Sequence, residues 1–231
     1  ELSTTAYIRV IDVSDATVYD SSNNAFTVKG GLRVETPNAA GISLQVDGSY
    51  AITWTKFGNI PSVEIHYSTN GGISSGGTYP DTNLLSTVPA SDQTHTWAVP
   101  DRIGTNLRIR IRQADNFNVW DESDNLFEIK GNLQVLQPNG AEIWYVGDAN
   151  EIQWRPYGTF TSNVKLEYST NGGSTWVEPA IATPAAGASG VQQSYSWQLP
   201  DAISANAKVR VSTQTGSPRA HALLRDLGVS P

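Results

Sequence analysis

The sequence predicts an all-β protein built from β-sandwich domains in tandem. Three observations predict it. The stretch Glu64-Ile-His-Tyr-Ser-Thr-Asn-Gly-Gly72 returns as Glu167-Tyr-Ser-Thr-Asn-Gly-Gly173. Tryptophans recur at a constant distance, Trp54 with Trp154 and Trp97 with Trp197, each pair 100 positions apart. Around them apolar and polar residues alternate with a period of two, and runs of strong helix formers are nearly absent. A repeat of about 100 residues matches the usual size of a β-sandwich.

Taken in order, residues 1–30 read as the last two strands of a preceding, incomplete repeat. Ile8-Arg-Val10, Val18-Tyr-Asp20 and Phe26-Thr-Val28 match Ile109-Arg-Ile111, Val119-Trp-Asp121 and Phe127-Glu-Ile129, each at an offset of 101. Two strands alone are only marginally stable. The apolar side chains Ile8, Val10, Phe26 and Val28 are therefore expected to contact a partner, either another copy or a neighbouring repeat. Lys29-Gly30 and Lys130-Gly131 mark equivalent junctions, and linkers this short restrict the hinge.

The first full repeat spans 31–130. Leu32-Arg-Val34 opens it, Pro37-Asn38 is a turn, and Ile52 and Trp54 share one face of a strand over Tyr50–Trp54. Val63, Ile65 and Tyr67 alternate with Glu64 and His66, the pattern of a half-buried strand. Asn70-Gly71-Gly72 is a hairpin signal, because Asn and Gly tolerate positive φ, and residues 73–80 insert into that hairpin. Thr94–Val99 is a further strand, closed by Pro100-Asp101. Leu107, Ile109 and Ile111 then alternate with Arg108, Arg110 and Arg112, whose side chains are expected to face outward. That stripe is either a solvated face with cross-strand ion pairs, Glu64 opposite one of them, or a docking stripe for an acidic partner.

The second repeat spans 131–231. Val164, Leu166 and Tyr168 face inward, Lys165 and Glu167 outward, and Val209 and Val211 echo Ile109 and Ile111. From about 213 the pattern fails. Leu227 and Val229 suit a short last strand, with a helical turn around 220–227 as the competing reading.

Composition excludes several classes. The net charge of −7 gives nucleic-acid phosphates little to bind. With no cysteine and no methionine, disulfides and thiolate metal sites are ruled out. No apolar run approaches the roughly 20 residues of a membrane-spanning helix, and no Asn-x-Ser/Thr acceptor for N-glycosylation occurs. A first residue other than Met reads as a chain cut from a precursor or as part of something longer.

Catalytic patterns are missing too. His66, His95 and His221 lie far apart, and neither a metal-binding His pair nor a nucleophile elbow is present. No enzyme is expected. The best candidate site is acidic: Asp115, Asp121 and Asp124 with neighbouring Asn116, Asn118 and Asn125, echoed upstream by Asp12, Asp15 and Asp20. Such oxygens suit calcium; the same residues also cap turns. Trp54, Trp97, Trp154 and Trp197 read as core. Trp120, Trp144 and Trp176 sit near turns, where they either stack on a glycan or pack against loops.

Pro138-Asn-Gly-Ala-Glu-Ile-Trp-Tyr-Val-Gly-Asp148, then Glu-Ile-Gln-Trp154, resembles the opening of immunoglobulin-like and fibronectin-III-like modules in bacterial cell-surface proteins. Tyr168 to Trp176, Trp97 to Pro100, Arg108 to Arg110 and Asp121 to Ile129 continue that resemblance. It covers nearly the whole chain up to about 213, departing at Ala39-Ala40 and at the insertion after Gly72. A weaker similarity is to modules of Ser/Thr-rich GPI-anchored cell-wall proteins. Ser169 to Trp176 also resembles the Asp-box hairpin of sialidase-like propellers, where the box is a structural turn. The resemblance implies tandem immunoglobulin-like β-sandwich domains and an extracellular location. Tandem copies resemble surface-layer (S-layer) proteins of the anammox type. It implies a structural segment of a secreted, self-assembling surface protein, a spacer and lattice contact. The alternative is a carbohydrate-binding or adhesive module that contacts cell-surface polysaccharide.

Overall fold

The computed structural model describes residues 3–140, 142–178 and 180–213. Among them the regular structure is strand, interrupted by three single 3-10 turns. In chain order the strands are β1 (Ser3–Ala6), β2 (Arg9–Ile11), β3 (Tyr19–Ser21), β4 (Phe26–Val28), β5 (Gly31–Thr36) and β6 (Ser43–Gln45). There follow β7 (Ser49–Phe57), β8 (Ser62–Ser68), β9 (Leu84–Pro89), β10 (Thr94–Ala98), β11 (Gly104–Gln113) and β12 (Trp120–Glu122). The last six are β13 (Phe127–Lys130), β14 (Asn132–Gln137), β15 (Ala149–Tyr157), β16 (Val164–Ser169), β17 (Gln193–Gln198) and β18 (Lys208–Thr213). The fold of the described residues is all-β, with the strands in several separate sheets. The chain forms two compact units. The first holds residues up to 42, 50–97 and 106–127; the second holds 43–49, 98–105 and 128 onward.

In the first unit, β7 lies between β5 and β10 in one sheet, and β8 lies between β9 and β11 in another. Alternation explains which side chains close between sheets. Val63 and Ile65 of β8, and Ile109 and Ile111 of β11, are wholly buried, with Ile52 and Trp54 of β7. Burying side chains of this size contributes about 1.5–3 kcal/mol each. The register sets Ile111 opposite Ile65 and Ile109 opposite Tyr67. The tyrosine ring then tilts against Trp97 at 5.9 Å, and Trp97 meets Phe127 edge-on at 6.1 Å.

The second unit repeats these pairings. β14, β15 and β17 form one sheet, and β16 pairs with β18. Val135 faces Trp154 where Val34 faces Trp54, with an irregularity just beyond in both. Tyr168 faces Val209 as Tyr67 faces Ile109. Leu133, Ile152, Trp154, Val164, Leu166 and Val211 form its core. β6 runs parallel to β13, Leu44 opposite Ile129. The Thr36-Pro37 and Gln137-Pro138 peptides are both cis.

Several expectations need correction. Glu167, expected to face outward, is 2% exposed and held by Arg210 and Lys165. Residues 3–28, read as two strands, hold four short ones. Asn70-Gly71-Gly72 does not close a tight hairpin: β8 ends at Ser68 and β9 begins at Leu84, because the insertion folds as structure of its own. Strand β9 escapes the period-two reading because its burial is shallow throughout. Arg108 and Arg110 do not face solvent; each is only 8% exposed, for reasons given below. The readings for the tail beyond 213, and His221, lie outside the described residues.

A buried aliphatic in either core should be costly to truncate. Ile65→Ala and Leu166→Ala are each expected to lose about 2–5 kcal/mol, read by urea denaturation. Ile143→Ala, at a site 78% exposed, should shift stability by less than about 0.5 kcal/mol.

Candidate functional site

The repeated Ser-x-Asn-x-Gly stretch builds the same turn twice. Ser68 Oγ accepts from the Gly72 N–H at 3.0 Å, and Asn70 Oδ1 accepts from the Thr78 N–H at 2.9 Å. In the second unit Ser169 Oγ accepts from Gly173 N–H at 2.9 Å, and Asn171 Oδ1 from Thr175 N–H at 2.9 Å. Thr78 therefore stands for Thr175, and Tyr79 stands for Trp176. Both aromatic rings cover an arginine. Arg110 lies 4.4 Å from the Tyr79 ring centre and Arg210 lies 4.1 Å from that of Trp176, close enough for cation–π attraction.

The extra residues of the first copy do something the second copy lacks. Ile73–Ser75 form a 3-10 turn whose N–H groups meet a carboxylate. Glu122 on β12 accepts from Ile73 N–H at 3.0 Å, Ser74 N–H at 2.7 Å and the Tyr79 hydroxyl at 2.7 Å. Arg108 donates to the Ser123 carbonyl and lies 3.9 Å from Glu122. This is why the arginine stripe is buried: loop and carboxylate close over it. Gly72 makes room, at φ +67. A Cβ there would lie 2.6 Å from the Tyr79 oxygen and 2.7 Å from Glu122.

Beside it, Arg112 donates to Glu64 and stacks on Phe117, its guanidinium 4.0 Å from the ring centre. Glu64 lies opposite Arg112 in register, as the sequence suggests. The buried His66 approaches Glu64 at 3.2 Å. In the second unit Glu167 takes the place of His66 and bonds Arg210 at 2.7 Å and Lys165 at 2.8 Å.

Burial works to raise the carboxyls of Glu64, Glu122 and Glu167, but their donors outweigh it and each ends below the usual range. Burial is also the largest influence on His66 and holds its imidazole below the ordinary value, as do Arg110 and Arg112. Burial and Glu122 push the Tyr79 hydroxyl up. These groups are held in one protonation state by fixed partners, which suits a lock between loop and sheet. The arrangement offers no activated nucleophile.

The acidic candidates serve as local acceptors. Asp121 accepts from Val34 N–H at 2.7 Å, Asp124 from Asn38 Nδ2 at 2.8 Å, and Asp115 from Gln113 Nε2 at 2.6 Å. Upstream, Asp12 and Asp15 cap their own turns through Ser14 and Thr17. Among the described residues no three His, Cys, Asp or Glu side chains converge as a metal-binding set.

Of the aromatic candidates, Trp120 is exposed, Trp144 meets Trp197 edge-on at 6.4 Å, and Trp176 stacks on Arg210. The candidate contact residues all face solvent: Ile8 is 60% exposed, Val10 73%, Phe26 42% and Val28 38%. The Glu122 lock escapes sequence reasoning. Its one signal is the alignment of Tyr79 with Trp176 across an insertion of unequal length.

No family model matches the chain, and no curated protein sequence matches it. Among solved structures it is similar to the fibronectin(III)-like modules of Clostridium thermocellum CbhA. Identity is 16%, over 82% of this chain and 89% of that one, at a TM-score of 0.28. It is also similar to a chimeric titin Z1Z2-Z1Z2 tandem functionalized with a GRGDS peptide from fibronectin. Here identity is 12%, over 78% of this chain and 90% of that one, at a TM-score of 0.24. The sandwich assignment rests on this chain's own strand pairings and cores.

Gly72→Ala is expected to cost about 1–3 kcal/mol, because it combines positive φ with overlap at Tyr79 and Glu122. Gly41→Ala, at φ +77 with nothing near its Cβ, should cost less in the same urea assay. Acid should act in two stages. The folded pKa of His66 lies below the unfolded value of about 6.5, so stability falls as pH drops from there toward the folded value. The depressed glutamates stabilise above their unfolded value of about 4.3 and lose that contribution as pH falls through their folded values. His66→Gln should abolish the upper stage in a urea-midpoint profile followed by tryptophan fluorescence. An unchanged upper stage would assign it to another group.

Proposed function

We propose that this chain is a structural segment of a secreted, self-assembling cell-surface protein of the surface-layer type, acting as spacer and lattice contact. One observation carries the reading. β2 pairs with β3 through Arg9–Ser21, Val10–Asp20 and Ile11–Tyr19. β11 pairs with β12 through Arg110–Glu122, Ile111–Asp121 and Arg112–Trp120, the same register at an offset of 101. Yet Ile109 and Ile111 are fully buried while Ile8 and Val10 lie in water. Residues 3–28 thus hold the strand pairing of a sandwich edge with its apolar side uncovered. Covering apolar surface contributes about 25 cal/mol per Å², and the surface that fits is the sheet of a neighbouring repeat or copy. The acidic balance and absence of cysteine suit an extracellular array.

A second reading, contact with surface polysaccharide, is favoured by Trp120 alone, 39% exposed beside Phe117 at 60%. Saturable quenching by a polysaccharide, lost in Trp120→Ala, would support it.

Light scattering in the micromolar range tests the first reading. The full chain is expected above monomer mass, and removal of residues 1–30 should return a monomer. A monomer before and after removal would defeat it.

A further inference from the structure

The second unit contains a small joint. Its residues 98–105 and 43–49 meet the turn at 158–159. Thr159 donates to Asp101 twice, N–H at 3.0 Å and hydroxyl at 2.6 Å. A Cβ at Gly158 would lie 2.9 Å from Ile103 Cδ1 and 3.2 Å from Val46 Cγ2, so a glycine at φ +99 lets the turn approach this closely. Asp101, Ile103 and Val46 form the socket; Gly158-Thr159 is the plug.

The socket occurs again, 100 residues on, as Asp201, Ile203 and Val146. Its backbone is folded the same way. Val99 N–H to Gly48, Asp47 N–H to Val99, Gly48 N–H to Gln45 and Arg102 N–H to Pro100 reappear at Leu199, Gly147, Asp148 and Ala202, with the corresponding acceptors. The occupancy differs. Val46 is 5% exposed, whereas Val146 is 48% and Ile203 89% exposed, and Asp201 is exposed as well. The plug also occurs again, 100 residues earlier, as Gly58-Asn59. Gly58 has φ +83, both residues are exposed, and Phe57 before them is 52% exposed. Asn59 carries a backbone N–H and a side-chain amide, the two donors an aspartate in the socket accepts.

We propose that the Gly58-Asn59 turn of one copy docks on the Asp201, Ile203 and Val146 socket of a second copy. This rests on the self-assembly reading above and names one contact for it. Plug and socket are different surfaces, so the interface is head-to-tail and propagates as open chains. Two hydrogen bonds and one small apolar contact make a weak interface, felt at high concentration or where other contacts hold copies together. Asp101 already engages Thr159 and stays out of it.

The test uses the full chain. Amide resonances of Asn59 and of 201–203 should shift together as concentration rises, with a rising weight-average mass by sedimentation. Asp201→Asn and Asn59→Asp should each weaken this association roughly tenfold, through loss of charge assistance and like-charge repulsion respectively. Mixing the two variants lets the amide introduced at position 201 of one meet the carboxylate introduced at position 59 of the other. The first variant's unchanged Asn59 also meets the second variant's unchanged Asp201, so the mixture should regain association as alternating chains that grow with concentration. Ile203→Ser should weaken association without changing the melting temperature. The inference is overturned by unchanged concentration dependence in the single variants, or by a mixture no more associated than its components. If association instead disappears only on Ile8→Ser and Phe26→Ser, the head-to-tail contact fails and self-assembly stands. A chain whose shifts and mass never respond to concentration defeats the head-to-tail contact.

Discussion

Each sandwich depends on one buried tryptophan tied to one backbone carbonyl. Trp54 donates its indole N–H to the Ala90 carbonyl at 3.2 Å, and Trp154 does the same to Ala186 at 3.0 Å. The ring is 2% exposed in one case and 1% in the other, so its only polar atom would be stranded without that bond. The bond fixes how far the chain segment after the Ser-x-Asn-x-Gly turn can stand from the central strand. The facing aliphatic layers then close at a set spacing. Much of what varies between the two units is variation around that constant.

The two arginine sites illustrate such variation. Arg110 and Arg210 occupy matching places under an aromatic ring. Opposite them stand His66 in one unit and Glu167 in the other. Where the carboxylate is opposite, the ion pair is direct and the loop is short. Where histidine replaces it, negative charge comes instead from Glu64 and from Glu122, and a longer loop supplies the donors that Glu122 needs. A buried charge demands a partner, and the chain meets that demand in two ways on one scaffold. The cluster is thereby a piece of architecture, and function is to be sought at the surfaces left uncovered.

Most of the fold was legible in the residues. Period-two alternation located β5, β7, β8, β10, β11 and β16 because apolar and polar residues alternate along each, and the repeat carried the reading on to β18. The internal repeat located β2 to β4 despite their short length. Strand β9 was not legible, since its partial burial leaves no clean alternation. Burial of Arg108 and Arg110 was not legible either. An arginine at alternate positions reads as solvent-facing unless something known lies above it, and what lies above is an insertion with no repeat counterpart. The acidic residues were legible as oxygen-rich; which atoms those oxygens meet depends on where distant N–H groups fall, such as Val34 for Asp121.

The sequence by itself determined the class of fold, the repeat length and the identity of the core residues, because apolar periodicity and turn chemistry are local properties. Tertiary structure alone decided which equivalent residues are covered. Ile111 and Val10 each follow an arginine and each face an aspartate across the ladder, yet one is buried and the other 73% exposed. Val46 and Val146 differ likewise. Exposure depends on what packs from outside the strand, and no pattern within a strand encodes that.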